Sequence, residues 1–489
     1  MSAFAIRHPD RLFIGGAWVE PHSGRQLEIV SPDTEQVVAR VAEADEIDMD
    51  RVVAAARKAF DEGPWQWLPA SERVAAMGRF VDALRRREPE LAAVWSLQMG
   101  GLATTAPYLA ARGTQNLQDA VDLGSSFPFI SRAESPAAPA AYIVHEPVGV
   151  VAAIAPWNVP YMIMAAKLGP SLLAGCAVIM KPSPETPLEA YIIAECAEEA
   201  GLPPGVINLV PAQRDASDHL VCNPGVDKVS FTGSTAAGKR IGEVCGSRVA
   251  RCTLELGGKS AAIILDDFSA EEAAKVLAGA ITLVSGQVCA MLTRAIVPTR
   301  RHDEVADAIA AAMRQVRVGH SDDAGAQMGP LAMRRQLDRV EGYIEHGQRE
   351  GASLVTGGGR PTQLNRGFFV EPTLFANVRS DMAIAREEIF GPVLSLIPCE
   401  DTDDAIRIAN DSNYGLNGSV LTHDADAAWR VARRVRTGNV GQNGMRTDFS
   451  LPFGGYKQSG LGREGGAQGL MHYLETKTIM LDAAPVETV

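Results

Sequence analysis

The sequence predicts an α/β protein with two doubly wound α/β domains. From Val150 onward, short apolar strands alternate with helices, which is typical of parallel strands buried on both faces. A second alternating region follows residue 289 and continues to about residue 450. A chain of 489 residues is also too long for a single hydrophobic core, so more than one domain is expected.

The first 146 residues precede the first α/β region and are predicted to contain short strands, two helices and a connection. Short apolar segments broken by Gly and Pro in 11–45 predict an antiparallel hairpin or meander. Two helices should follow, one over 49–60 and a second that Ser71 caps. Residues 126–139 are rich in Pro and Ala and predict a connection that leads to a strand over 141–146.

In the first α/β region, Asn158, Lys181, Gly233 and Ser234 fall just after predicted strands. Ligands of such sheets bind beyond the carboxyl ends of the strands, so these positions are candidate ligand contacts. The predicted strands span 150–155, 177–180, 207–210 and 228–231, and the predicted helices span 161–173 and 186–200.

The second region carries a similar alternation. Its predicted helices span 271–284, 302–316, 334–350 and 402–410, with Thr402 as the cap of the last, and its strands span 294–298, 393–397 and 418–422. The glycine run at 357–360 opens no helix, so we expect a plain loop rather than a phosphate cradle.

Composition excludes several classes of protein. The chain is 46% hydrophobic and 21% charged, as in ordinary soluble enzymes, and its net charge of -13 argues against nucleic-acid or anionic-membrane partners. Residues 147–166 carry no charge, but Pro156, Asn158 and Pro160 would break a membrane-spanning helix. The N-terminus lacks a signal-peptide pattern, so a cytoplasmic location is expected.

Neither the cysteines nor the histidines predict a metal site. No two of the seven cysteines have the spacing of a zinc knuckle or a redox pair, and the nine histidines are scattered. Cys176 and Cys196 lie in apolar segments and are expected to be small core residues.

Glu255 and Cys289 are the candidate catalytic pair. Glu255 precedes Gly257 and Gly258, and Cys289 follows Gly286, so a nucleophile and a water-activating carboxylate could meet in one site. Either residue alone has a simpler interpretation, because most free cysteines are inert core residues and most glutamates are solvated.

Two further positions admit two interpretations each. Gly233 and Ser234 follow a strand and open a helix, which suits a bound phosphate but also a tight structural turn. Asn158 lies at a strand end, where it could donate to an oxyanion or simply form a turn.

Taken together, the motifs resemble those of the NAD(P)-dependent aldehyde dehydrogenase superfamily over essentially the full chain. They are PWN at 156–158, KPS at 181–183, FTGS at 231–234, ELGGK at 255–259, GQVC at 286–289, EEIFGP at 387–392 and PFGGYKQSG at 452–460. The resemblance implies an enzyme that oxidises an aldehyde to an acid, with hydride transfer from a cysteine thiohemiacetal to NAD(P) and a thioester intermediate.

The resemblance also assigns catalytic roles. Cys289 would attack as a thiolate, Asn158 and the Cys289 backbone N–H would stabilise the oxyanion, and Glu255 would activate the hydrolytic water. Lys167 matches a family lysine near the site, with a surface helix charge as its other interpretation.

The cofactor contacts implied by the resemblance are Trp157, Lys181, Ser183, Gly233, Ser234, Leu256, Glu388 and Phe390. Pro184 occupies a position where NAD-preferring relatives commonly carry Glu, and Glu185 follows it. Because no Arg in 181–186 could clamp a 2′-phosphate, we expect NAD as the cofactor, with NADP also possible.

The family architecture implies three parts. Residues 1–123 and 147–256 would form a Rossmann-like cofactor domain, and 257–458 the catalytic domain. Residues 124–146 and 459–489 would form a small β oligomerisation element, giving a homodimer or homotetramer.

Three alternatives remain open from the sequence. A coenzyme A-acylating relative often lacks the carboxylate at the Glu255 position, a cysteine esterase would leave the cofactor motifs unexplained, and a non-catalytic protein should have lost Cys289 or Glu255. The expected substrate is an uncharged, apolar aldehyde, because the positions expected to line the tunnel carry no cation: Val159, Met162, Ile163, Ala166, Val288, Ala290, Phe449, Leu451 and Phe453.

Overall fold

The computed structural model describes residues 6–486, which form fifteen helices and twenty strands. The helices are α1 Glu46–Asp61, α2 Ala70–Arg86, α3 Glu88–Met99, α4 Ala106–Gly124, α5 Pro160–Ala174, α6 Leu188–Glu199, α7 Arg214–Cys222, α8 Thr235–Ser247, α9 Ala270–Thr282, α10 His302–Arg314, α11 Arg334–Arg349, α12 Ala383–Arg386, α13 Thr402–Asn410, α14 Ala425–Ala432 and α15 Gly466–Met471.

The strands are β1 Leu12–Ile14, β2 Ala17–Val19, β3 Gln26–Val30, β4 Val37–Ala42, β5 Ile130–Ala133, β6 Ala140–Pro147, β7 Val150–Ile154, β8 Ala177–Lys181, β9 Ile207–Leu209, β10 Lys228–Thr232, β11 Arg251–Glu255, β12 Ser260–Ile264, β13 Leu292–Pro298, β14 Ser353–Thr356, β15 Thr373–Ala376, β16 Val393–Cys399, β17 Gly418–Leu421, β18 Gly441–Gln442, β19 Gly460–Leu461 and β20 Leu474–Leu481.

The first large sheet has eight strands in the order β19-β11-β10-β7-β8-β9-β1-β2. Its five central strands, β11 to β9, are parallel, and the edge strands pair antiparallel. Every residue of β7, β8 and β10 is buried, because helices cover both faces of a doubly wound sheet. The carboxyl ends of β7, β8 and β10 therefore lie at one edge, as the sequence predicts, and β11, a strand that was not predicted, ends at the same edge.

The second large sheet has seven strands in the order β14-β15-β16-β13-β12-β17-β18. All its pairs are parallel except β14 with β15. Two doubly wound α/β units are thus present, and the predicted fold class is confirmed. The expected N-terminal hairpin is also present: β1 and β2 join the first sheet, while β3 and β4 form a separate antiparallel pair.

A three-stranded sheet in the order β20-β6-β5 joins distant parts of the chain. Leu474 pairs with Pro147 and Leu481 with Ala140 along an uninterrupted antiparallel register. This pairing lies within the segments predicted to form the small β element, whereas the exact domain boundaries stay a prediction. Residues 126–139 were predicted to be a connection, but the middle of this segment forms β5.

Helices α3 and α4 were missed from the sequence. The apolar residues of α3 do not form a single stripe, because the helix is buried on more than one side, so the usual helical periodicity is weak. Helix α4 buries mostly small or polar residues, and its Gly113 lies against the ring of Tyr161 on α5. A side chain at that position would collide with the ring, so close helix packing replaces an apolar stripe.

Four predicted helix starts were wrong. Helix α1 begins at Glu46, three residues before the predicted start at 49, and Asp45 caps it. Helix α2 begins at Ala70 after Pro69, so Ser71 lies within the first turn and does not cap it. Helix α6 begins at Leu188 after Pro187, two residues beyond the predicted Thr186. The cap of α13 is Asp401, whose carboxylate accepts from the Asp404 backbone N–H at 2.9 Å.

The uncharged segment 147–166 contains β7, a turn and the start of α5, in agreement with its predicted interpretation. Among residues 6–486, no helix is both long and apolar enough to cross a membrane. The glycine run at 357–360 is a loop, and Gly357 and Gly358 both have positive φ.

Candidate active site

Residues that follow strands of both large sheets line one cavity of about 650 Å³. It brings together most of the predicted site: Trp157, Asn158, Gly233, Ser234, Glu255, Leu256, Cys289, Glu388 and Phe390. Lys167 lies behind its wall, and Lys181 and Ser183 are outside its lining at the neighbouring end of β8.

The loop that carries Cys289 has an unusual backbone. Helix α9 ends at Thr282, two residues before the predicted end, and Val284, Ser285 and Gly286 follow with φ of 49°, 54° and 73°. A β-branched residue at positive φ is strained, so surrounding contacts must hold this turn. A side chain on Gly286 would collide with the Gly391 carbonyl group, which explains the glycine.

Gln287 fixes the same loop from inside the protein. Its side chain is fully buried; Oε1 accepts from the Ala332 N–H at 3.0 Å and Nε2 donates to the Val284 carbonyl at 3.0 Å. Sequence reasoning did not single out this role, although Gln287 stands within the GQVC motif.

The turn after Glu255 packs directly on the nucleophile loop. A side chain on Gly258 would collide with the carbonyl oxygen of Cys289, so only glycine permits this approach. The Gly258 N–H donates to Glu388 Oε1 at 3.0 Å. Three separate chain segments, around Glu255, Cys289 and Glu388, therefore meet through backbone contacts.

Asn158 is buried and anchored at both ends. Its Nδ2 donates to the Gln287 carbonyl at 2.8 Å, and its own carbonyl accepts from Trp95 Nε1 at 2.9 Å. An amide nitrogen carries two N–H groups, and this hydrogen bond uses one of them. Asn158 is thereby fixed against the loop that carries Cys289.

Cys289 is partly exposed and lines the cavity. Burial of its thiol raises the pKa to about 12, and the neighbouring Glu388 and Glu255 carboxyl groups add to the shift. Attack as a thiolate, expected from the sequence, therefore requires the thiol to lose its proton first.

Glu255 is a buried carboxyl group without a hydrogen-bond partner in the protein. It is 3% exposed, and both of its oxygens lack a partner among the described residues. Burial raises its pKa well above the ordinary value, and the neighbouring Glu464 carboxylate adds to this. A carboxyl group in this state has a high proton affinity, as a general base near neutral pH requires.

Lys167 is fully buried and is not a surface charge. Its ammonium group forms an ion pair with Glu464 and donates to Thr232 Oγ1 at 2.7 Å and Ser230 Oγ at 3.4 Å. The pair lies beside Glu255: the Lys167 charge lowers the pKa of Glu255, whereas the Glu464 charge raises it.

Glu464 was missed from the sequence. It follows the 452–460 motif in a glycine-containing segment, where a glutamate gives no signal of burial. Its backbone exchanges two hydrogen bonds with Phe453, at 2.7 and 2.8 Å, which carries its side chain into the interior.

The aromatic rings of Trp157 and Phe390 line one end of the cavity. The Trp157 and Phe390 rings meet edge to face with centroids 5.1 Å apart. Phe390 has φ of 62°, and Gln336 Nε2 on α11 holds its carbonyl at 2.6 Å. Arg339, also on α11, donates to the Glu388 carbonyl. Neither Gln336 nor Arg339 was predicted, because α11 shows only an ordinary amphipathic pattern.

Ser234 caps α8, and its Oγ accepts from the Ala237 N–H at 3.3 Å. The N-terminus of α8 opens on the cavity beside Gly233, which suits a bound phosphate. At the end of β8, burial lowers the pKa of Lys181 to about 8. Ser183 donates to Glu185, which also pairs with Arg335 at 2.6 Å. The Trp157 and Phe390 rings, the N-terminus of α8 and Lys181 together suit the binding of a dinucleotide.

Comparison with known proteins agrees with this geometry. The sequence model of the aldehyde dehydrogenase family matches residues 18–479, and the chain belongs to this family. It is an NAD-dependent aldehyde dehydrogenase, so the resemblance drawn from the motifs is confirmed.

Individual relatives cover almost the whole chain. A geranial dehydrogenase from Castellaniella defragrans is 46% identical over 471 residues, which are 96% of this chain and 98% of the relative. A Mycobacterium tuberculosis aldehyde dehydrogenase complexed with NAD⁺ is 41% identical, with a TM-score of 0.94 over 98% of this chain and 99% of that one. A Pseudomonas syringae aldehyde dehydrogenase C mutant complexed with NAD⁺ and octanal is 39% identical, with a TM-score of 0.94 and 98% coverage of both chains.

Replacing Glu464 with Gln should destabilise the fold strongly, because it leaves the Lys167 ammonium buried without its counter-charge. We expect the free energy of unfolding to fall by about 3 kcal/mol or more, measured by urea denaturation. Glu28→Gln is the matched control, since the Glu28–Arg40 ion pair is exposed and should contribute less than about 1 kcal/mol. Equal effects of the two substitutions would contradict a buried, charged pair.

Proposed function

We propose that this enzyme oxidises an uncharged, largely apolar aldehyde of medium size to its carboxylic acid. The observation that carries the proposal is the apolar wall beside Cys289. Val159, just before α5, and Met162 and Ile163 of α5 line the cavity on that side, and Phe449 and Phe453 line it as well. A carboxylate on the substrate would need a fixed cation, and none of these residues supplies one.

Two basic residues line the cavity, and both belong to helices at its cofactor end. Lys239 is on α8, whose N-terminus carries Ser234, and Arg339 on α11 donates to the Glu388 and Ile389 carbonyls. Arg446, the cation nearest to the predicted tunnel in sequence, is exposed and donates to the Gln442 carbonyl at 3.0 Å.

Two of the expected tunnel residues lie elsewhere. Leu451 is 62% exposed, and Ala166 lines an adjoining cavity of about 290 Å³. Phe449 lines both cavities and so separates them. The small side chain of Ala166 leaves space behind that ring, which favours substrates with bulk beyond a straight chain.

The relatives give independent support. One is named a geranial dehydrogenase, and another is complexed with octanal. Both compounds are uncharged, apolar aldehydes of medium length. By analogy, the apolar wall of this chain would hold the hydrocarbon part of such a substrate, with its carbonyl carbon next to Cys289.

The proposed reaction begins at Cys289. The thiol proton is lost to solvent, to which Cys289 is partly exposed, the sulfur attacks the carbonyl carbon, and a thiohemiacetal forms. The free N–H of the Asn158 amide and the backbone N–H of Cys289 donate to the developing oxyanion. Asn158 is suited to this role because its contact with Gln287 fixes it to the nucleophile loop before substrate binds.

Bound NAD supplies the hydride acceptor. Trp157 and Phe390 would flank its nicotinamide end, Glu388 would bind a ribose, and the N-terminus of α8 at Ser234 would bind the pyrophosphate. Glu388 suits hydrogen bonding in either charge state, because burial raises its pKa to about 7. Lys181 and Ser183 at the end of β8 would reach the adenosine half, with Leu256 and Gly233 packed against the dinucleotide.

In the second half of the reaction, Glu255 activates the water that hydrolyses the thioester. Its two unpartnered oxygens leave room for a water as hydrogen-bond donor, and its raised pKa suits proton removal. This favours water over coenzyme A as the acyl acceptor. The Lys167–Glu464 ion pair lies behind Glu255, and its two charges shift the pKa of Glu255 in opposite directions.

NAD should be preferred to NADP, because Glu185 places a carboxylate next to Lys181 and Ser183, where it would repel a 2′-phosphate. Arg335 partly neutralises that charge, so some activity with NADP is expected. We also propose that the β5-β6-β20 sheet mediates self-association into a homodimer or homotetramer.

Replacing Glu255 with Gln should retain thioester formation and slow hydrolysis. Mixing this variant with aldehyde and NAD would then give at most one equivalent of NADH per active site, followed by slow turnover, measured by stopped-flow absorbance. Mass spectrometry of a protease digest should detect the acylated Cys289 peptide. Unchanged steady-state turnover would show that another group activates the water.

The substrate proposal predicts how kcat/KM depends on chain length. Each added methylene should raise kcat/KM about fourfold, from about 0.8 kcal/mol of burial, until the apolar wall is covered. Straight-chain aldehydes and geranial would be compared with succinate semialdehyde as the charged control. A flat series, or a preference for succinate semialdehyde, would contradict the proposal.

A further inference from the structure

Two cysteines outside the active site lie side by side. Cys245 is in the last turn of α8 and is fully buried, and Cys252 is the second residue of β11 and is partly exposed. Both belong to the same apolar cluster, where α8 packs against β11, and each thiol perturbs the pKa of the other. Both thiols are free in the structure, and the proposed reaction uses neither.

The turn between α8 and β11 produces this contact. The Ala250 N–H donates to the Cys245 carbonyl at 2.9 Å, and Val249 has φ of 59°. This is the left-handed turn that commonly ends a helix, with valine in place of the usual glycine. After this turn the chain reverses its direction, and β11 runs back alongside α8. A spacing of this kind matches no redox motif, so the pair cannot be recognised without the fold.

The surroundings make the two thiols unequal. Cys252 is partly exposed to solvent, and the neighbouring Cys245 thiol and the Lys228 ammonium group lower its pKa. Cys245 is buried, so peroxide reaches Cys252 more easily. Lys228 is held nearby by a 2.6 Å hydrogen bond to Thr253 Oγ1 and by the Tyr473 ring at 4.7 Å. Cys252 is therefore the more nucleophilic partner.

We propose that Cys245 and Cys252 form a redox-modification site that hydroperoxides convert to a disulfide. In the first step, the Cys252 sulfur attacks one oxygen of hydrogen peroxide. The O–O bond breaks, the second oxygen leaves as water after taking a proton, and Cys252 becomes a sulfenic acid. In the second step, the Cys245 sulfur attacks the Cys252 sulfur, and the displaced hydroxide leaves as water with the Cys245 proton. The peroxide is reduced by two electrons, and both thiols are oxidised.

The other cysteines offer useful contrasts. Cys222 is exposed and contacts Asp218 and Arg240, and its pKa is raised by burial and by the Asp218 charge. Cys176 is buried, its thiol donates to the Tyr473 carbonyl, and burial raises its pKa to about 12 although the Lys228 charge lowers it. Neither cysteine is expected to form a disulfide.

The test uses the full-length folded protein, in the wild-type form and as Cys289→Ala, so that oxidation of the catalytic thiol is separated from oxidation of the pair. Each is treated with hydrogen peroxide, alkylated and digested with trypsin without reduction. Arg248 and Arg251 lie between the two cysteines, so trypsin would release 241–248 and 252–259 as separate peptides. We expect them as one linked species, with a loss of roughly 2 Da in the intact protein.

Matched variants decide between the possible outcomes. Cys222→Ser should retain the cross-link, whereas Cys245→Ser and Cys252→Ser should each abolish it. In Cys245→Ser, a 1,3-dione probe should label the Cys252 sulfenic acid, and before oxidation Cys252 should be alkylated at pH 7 about tenfold faster than Cys222. Recovery of both peptides as separately alkylated species, or an undiminished mass loss in Cys252→Ser, would overturn the proposal. Normal melting curves would show that a lost cross-link does not reflect unfolding.

Discussion

The buried ion pair between Lys167 and Glu464 is the constraint on which the active site depends. Charges are costly to bury, and this pair is tolerated because each partner neutralises the other and hydroxyl groups of β10 satisfy the ammonium. It ties α5, which supplies the apolar wall, to the segment after residue 460. It also lies beside Glu255, so the same interaction that holds the two parts together sets the charge environment of the proposed base.

The second constraint is the close approach of three turns that come from distant parts of the sequence. Gly258 lies against the Cys289 carbonyl, Gly286 lies against Gly391, and the Gly258 N–H binds Glu388. Side chains at these glycines would separate the nucleophile loop from the turn after Glu255. The strained Val284 and Phe390 lie next to these contacts, so backbone strain is concentrated where the reacting groups meet.

Sequence reasoning identified what depends on local pattern. Alternating apolar strands gave the two sheets, and the motifs at strand ends gave the residues that line the cavity. It failed where burial depends on partners far along the chain. Helix α3 has no apolar stripe, the buried face of α4 consists mostly of small residues, Glu464 gives no sign of its pairing with Lys167, and Leu451 is an apolar residue left exposed. Ser71 and Thr402 are good capping types, but Pro69 and Asp401 occupy the positions that decide where those helices begin.

The pKa values of the cysteines are a second property that could not be predicted from the sequence. The family resemblance implies a reactive thiolate at Cys289, yet burial and two neighbouring carboxyl groups raise the pKa of this thiol. A second cysteine, Cys252, has the lower pKa because of its contacts with Cys245 and Lys228. Reactivity of a thiol therefore follows from its surroundings in the fold, which the sequence alone does not give.

The most direct test of the account is turnover of Cys289→Ala together with its affinity for NAD. If Cys289 is the nucleophile, aldehyde oxidation should fall below about a thousandth of the wild-type rate. NAD affinity, measured by calorimetry, should stay within about twofold of the wild-type value, because Trp157, Phe390 and the N-terminus of α8 are unchanged. Turnover well above that limit, with NAD still bound, would contradict covalent catalysis by Cys289.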